Sequence, residues 1–143
     1  MKSVEECLKH GRLKKAVLSR DMIRKELDIG KEDLKEAEAG LIREAYKWST
    51  IQGYYGTFHA MRALLFAAGY REESHAALKI GINELYVIPG KLTDGAYRAL
   101  ERGMELRELA DYKASFSAET ARWLVSQGQA AITEVEQILD SMM

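Results

Sequence analysis

The chain has 143 residues, 47% of them apolar and 30% charged, with a net charge of −1. That is the size and balance of one folded, soluble domain with a core of its own, and it excludes a disordered chain, a membrane-embedded one and a dedicated polycation. The single cysteine, Cys7, excludes an internal disulfide, and the single proline, Pro89, leaves room for long uninterrupted helices.

Ala, Leu, Glu, Lys and Arg dominate, which favours helix. The opening Met1-Lys2-Ser3-Val4-Glu5-Glu6 has no apolar stretch of signal-peptide type, and the run Ala63-Leu64-Leu65-Phe66-Ala67-Ala68 is too short to span a bilayer. The expectation is a cytoplasmic protein with no membrane attachment. Charge is uneven: residues 1–25 hold eight Lys/Arg against three acids, the remainder thirteen against nineteen. The basic start reads as a solvated helix face or as a phosphate contact.

The first strong segment is expected over about 12–41, with a bend or break near 19–21. Val17, Ile23, Leu27 and Leu34 recur at helical spacing opposite a face of Lys and Glu, where pairs such as Glu32–Lys35 are expected in solvent. A second long helix, about 48–68, is apolar almost all round (Trp48, Ile51, Tyr54, Tyr55, Phe58, Met61, Leu64, Leu65). That pattern predicts the middle of a bundle or an interface between chains, and Gly69 is a natural end for it. Ser74 can cap a helix from 75 to 87, closed by Pro89-Gly90. Thr93 or Asp94 can cap one over about 95–113, and Ser117 one over 118–139 with Glu119 in its first turn. The expectation is one all-α domain over residues 1–143, an antiparallel up-and-down bundle of four main helices plus a shorter one.

Phosphate loops, zinc-spaced Cys/His pairs and nucleophile elbows are absent, so neither metal nor cofactor is expected. Of the three histidines, His10 sits in the basic start. Tyr55, His59 and Arg62 fall at i, i+4 and i+7 on one helical face, which makes either an internal hydrogen-bonded network or an anion site. His75 follows a cap residue at a helix start, as a surface side chain or an anion contact. Arg107 and Asp111 are one turn apart, an ordinary intrahelical pair by spacing alone, with Tyr112 beside them.

The run Gln52-Gly53-Tyr54-Tyr55-Gly56-Thr57-Phe58-His59-Ala60-Met61-Arg62-Ala63-Leu64-Leu65 resembles the central helix of HEPN-domain proteins. The stretches Gly69-Tyr70-Arg71-Glu72-Glu73-Ser74-His75 and Glu105-Leu106-Arg107-Glu108-Leu109-Ala110-Asp111-Tyr112 resemble the same family, in the same order. The likeness is to its small stand-alone prokaryotic branch. It implies a helical bundle assembled as a homodimer. In the family's ribonucleases it also implies an Arg followed four to six residues later by a His, serving a metal-independent RNA-cleaving site. Arg107 matches that Arg, but Tyr112 stands five residues on and no His follows in 113–117. A phenol, with an ordinary pKa of about 10, is a poor general base at neutral pH.

The reading these observations favour is a nucleotide- or RNA-binding homodimer, with a minimal nucleotidyltransferase as the partner that the resemblance implies in a toxin–antitoxin-like pair. Its ligand-binding residues would be Arg107, Asp111, Tyr112, Tyr55, His59, Arg62 and His75. Two others stay open. One is a metal-independent ribonuclease toxin with a degenerate Arg-x4-Tyr motif, for which Arg107, Tyr112 and His59 are the catalytic candidates and either His59 or His75 the displaced base. The other is a structural interaction module.

Overall fold

The computed structural model describes residues 2–143. Its frame is four long helices: α2 (Arg20–Ile42), α3 (Tyr46–Ala67), α5 (Asp94–Tyr112) and α6 (Ala118–Met142). Around them lie a short α1 (Val4–Lys9), a two-turn α4 (His75–Ile82) continuing into a π-helical turn (Asn83–Val87), and a ribbon of two short strands, β1 (Leu13–Lys15) and β2 (Tyr70–Glu72). The all-α bundle read from the sequence is the fold found, with two short helices rather than one.

The caps explain the helix starts. Ser19, Ser74, Thr93 and Ser117 each accept the backbone N–H three residues on, from Met22, Ala77, Ala96 and Thr120. At the 93/94 alternative, Thr93 is the cap. α3 starts without a side-chain cap and is stabilised by packing: it runs through the centre against α2, α5 and α6. Tyr54, Ala60, Met61, Ala63, Leu64 and Leu65 are fully buried. Trp48, expected among its apolar residues, stands 55% exposed, with the Lys47 ammonium over its ring.

α2 and α3 share the closest seam in the molecule. A methyl on Gly30 would come within 2.7 Å of the Gly56 carbonyl oxygen, and one on Gly56 within 3.1 Å of the Gly30 oxygen. Each glycine therefore lets the other's backbone in. Arg24–Asp140 and Lys31–Glu136 ion pairs then tie α2 to α6.

The N-terminal quarter corrects the expected segment over 12–41. Helix α2 begins at Arg20, and the residues before it form a strand. Gly11 and Gly69, both left-handed at φ +71° and +91°, turn the chain so that β1 runs antiparallel to β2, with Leu13 opposite Glu72, Lys14 opposite Arg71 and Lys15 opposite Tyr70. Leu13 is buried, but Val17, counted in the helical stripe, is fully exposed. A three-residue strand is specified by a partner more than fifty positions away, and local periodicity does not register that. Glu32 and Lys35 are both exposed as expected, but no ion pair joins them among the described residues; the one i,i+3 ion pair is Arg102–Glu105. None of the helices is long and apolar enough to cross a membrane among the described residues.

Candidate functional site

Helix α5 buries a stripe of Ala96, Ala99, Leu100, Gly103, Leu106 and Ala110, and the charged residue within that stripe is Arg107. It lies one turn beyond Gly103 and two beyond Leu100, where a core leucine would fit, and is only 9% exposed. Three tyrosine rings surround its guanidinium: Tyr54 at 5.7 Å, Tyr55 at 5.6 Å and Tyr112 at 5.7 Å from the central carbon. Such aromatic faces favour a cation but accept few of its hydrogen bonds.

The polar partners are sparse. One terminal nitrogen donates to the Tyr112 hydroxyl at 3.3 Å and stands 3.7 Å from an Asp111 carboxylate oxygen. The Nε–H is buried with no partner, one of two such side-chain atoms among the described residues, the other being Thr57 Oγ1. A guanidinium has five N–H donors. Burial opposes its charge, but the bond to Tyr112 and the neighbouring phenols outweigh that and hold its pKa above the ordinary value.

His75 enters this cluster through Tyr54. The phenol oxygen and His75 Nδ1 are 2.7 Å apart, and the imidazole stacks on Phe58 with ring centres 5.0 Å apart. Burial pushes the Tyr54 phenol well above its ordinary value, with Arg107 acting the other way, so it keeps its proton. His75 is held below its usual value, first by burial and then by the Arg107 charge, with Glu72 and Glu108 opposing. A neutral imidazole that accepts a hydrogen bond from the phenol O–H at Nδ1 carries its own proton at Nε2, where it is a donor for an anion.

His59 and Arg62 belong elsewhere. His59 Nδ1 lies 2.7 Å from Glu26 and its Nε2 3.6 Å from Asp33; Arg62 reaches Glu26 at 3.5 Å and Glu72 at 3.1 Å. They fasten α3 to α2 and β2. Of the residues singled out in the sequence, Arg107, Asp111, Tyr112 and Tyr55 therefore meet in one cluster and His75 joins it, while His59 and Arg62 form a second one. Tyr55 stands between the two, its ring 6.3 Å from that of His59.

Sequence reasoning missed Tyr54 as a site residue, counting it as core. The available signal was a hydroxyl in the middle of a nearly all-apolar helix, which must find a partner. It also missed Glu26 and Glu72, whose roles depend on contacts between elements. Among the described residues, no group of three or more His, Cys, Asp or Glu side chains is placed to hold a metal.

The HEPN domain family model matches residues 23–142. The chain belongs to the HEPN-domain family. A protein of Methanocaldococcus jannaschii named "Putative toxin MJ0605" is 26% identical over 130 residues, covering 88% of this chain and 92% of that one. The family match contains every residue of both clusters and begins after α1 and β1.

Proposed function

We propose that this HEPN protein is a homodimer that binds a nucleotide or RNA through a phosphate at the Arg107 cluster, and that it works beside a minimal nucleotidyltransferase in a toxin–antitoxin-like pair. The observation that carries the binding reading is the under-paired guanidinium of Arg107. It is desolvated, with one long hydrogen bond, one ion pair at 3.7 Å and a buried Nε–H that has no acceptor. A phosphate oxygen pair would supply charge-assisted bonds that the protein itself does not. The Nε2 proton of His75 is a further donor for the same anion. Leu109, Tyr112 and Phe116 leave apolar surface exposed at this end of α5, which supports a second copy meeting the first there.

Titrating the protein with ATP and AMP tests the reading. Arg107→Ala should lose at least tenfold in affinity while its melting temperature stays close to that of the wild type. A wild type that binds neither nucleotide nor RNA would overturn it. Light scattering after size exclusion checks the dimer, and a monomer at micromolar concentration would refute that part.

A second reading, the metal-independent ribonuclease, is favoured by one specific observation. His75 is coupled to Arg107 through Tyr54, so a histidine stands beside the arginine although none follows it in sequence. The proton arrangement makes His75 a donor rather than a base, so weak cleavage is expected. Robust cleavage of a mixed RNA pool in EDTA, abolished in Arg107→Ala and in His75→Gln, would promote this second reading.

A further inference from the structure

The residues ahead of α2 are built onto the bundle and not trailing from it. Val4, Cys7 and Leu13 are buried in the core, the Val4 N–H donates to Glu84, and β1 is zipped to β2. What this segment leaves in solvent is mostly positive. Lys9, Arg12, Lys14, Lys15 and Arg20 are all exposed, and so is Arg71 on the facing strand. Lys9, Arg12, Lys15 and Arg20 have no ion-pair partner among the described residues.

The strand register adds a sharper observation. Lys14 lies directly opposite Arg71, and like charges so placed repel. Here an anion sits between them: Glu73 pairs with Lys14 at 3.4 Å and with Arg71 at 3.2 Å. That carboxylate is exposed and belongs to the short turn leading into α4, so a phosphate approaching Lys14 and Arg71 has to displace it, while Lys9, Arg12, Lys15 and Arg20 are open to an anion without that competition. The other acid of β2, Glu72, is turned inward onto Arg62 and does not offset the surface charge.

From this geometry we infer that the basic face of the β1–β2 ribbon is a backbone-binding surface for single-stranded RNA, which it delivers to the Arg107 cluster. β2 passes through Glu73 and Ser74 directly into His75, whose ring contacts Tyr54 beneath the Arg107 guanidinium. The ribbon and the Arg107 cluster are therefore joined by two residues of chain, close enough for one strand to touch both. Among the described residues, Val17 is the one large apolar side chain exposed on this segment and no exposed aromatic accompanies it, which favours a polyanion over a membrane surface as the partner of this face. The inference rests on the proposed function for where the strand leads, and adds to it that RNA is held outside the cleft by the basic residues ahead of the family match together with Arg71 on the facing strand.

The test is fluorescence anisotropy of a labelled 20-nucleotide single-stranded RNA of mixed sequence at several salt concentrations, with ATP titrated in parallel. The variant Lys14→Gln/Lys15→Gln/Arg71→Gln should bind the RNA at least tenfold more weakly and leave ATP affinity unchanged. Its log–log salt slope should fall by about two, since each lost phosphate contact on a single strand contributes about 0.7. Arg12→Gln/Arg20→Gln, which leaves the strand pairing untouched, should lower the slope by about 1.4 on the same basis and guards against a folding defect in the triple variant. Unchanged RNA affinity and slope in both variants would overturn the inference. A wild type that binds ATP but not RNA would overturn it and leave the Arg107 reading standing. A wild type that binds neither overturns both. Equal loss of ATP and RNA binding in the well-folded double variant would also count against it, because the ribbon would then be acting on the cleft.

Discussion

The His59–Arg62 cluster and the Arg107 cluster flank the same helix, and each sets a histidine and an arginine against aromatic rings. In the first, three carboxylates answer two basic side chains through four contacts: Glu26 serves both, Asp33 the imidazole and Glu72 the guanidinium. In the second, the more deeply buried guanidinium has one carboxylate at 3.7 Å, one phenol at 3.3 Å and an Nε–H with nothing to bond. Charges that have been matched internally fasten helices together. A charge that is buried and left short of acceptors is placed for something that arrives from outside.

The largest way to break this comparison is to remove the helix both clusters share. Leu65 is fully buried in α3, and Leu65→Ala should cost about 2–5 kcal/mol in urea melts, the usual range for opening a core cavity. A loss below about 1 kcal/mol would mean that α3 is not the spine of the fold.

A smaller pair of effects sharpens it. Glu72→Ala removes the inward carboxylate nearest Arg62, and should cost about 1–3 kcal/mol as a desolvated charged group loses its partner. Arg107→Ala should cost less, about 1 kcal/mol, although Arg107 is the more buried arginine. Its one carboxylate partner, Asp111, is 40% exposed and is not stranded in the interior. Thermal and urea melts of the two variants side by side decide this, and the reverse order would make the Arg107 cluster a packing device too.

The smallest effect expected is in pH. His75 has a folded-state pKa below its ordinary 6.5, so it favours folding in its neutral form. Its contribution is fully present above that value and is lost as the pH falls through it toward the lower folded value. Melting temperatures should therefore decline below about pH 6.5 more steeply in the wild type than in His75→Gln. A bound phosphate would favour the imidazolium, so ligand affinity should rise over the same interval.

The parts of this arrangement legible in the sequence were those set by neighbours in the chain. Ser74, Thr93 and Ser117 announced α4, α5 and α6, and the apolar run from Ile51 to Leu65 announced a central α3; the start of α2 at Ser19 showed only as a bend or break. The Tyr55–His59–Arg62 face was visible, as was the Arg107–Asp111 spacing. The burial of Arg107 was not. One turn from Asp111 it looks like a surface ion pair, and only the docking of α3, with Tyr54 and Tyr55, takes it out of water. The strand β1 was illegible for the same reason, since its hydrogen bonds are with β2.

The contact between Gly30 and Gly56 also bears on how the molecule assembles. α2 and α3 are joined by residues 43–45 alone, so bringing them together closes a short loop at little entropic cost, and local contacts of this kind form fast. Glycine-to-glycine approach lets that hairpin reach its native spacing without waiting for side chains to repack. The Arg107 cluster draws on positions as distant as 54, 75 and 107, and can exist only after α4 and α5 have docked. The cleft therefore forms only once those more distant elements are in place.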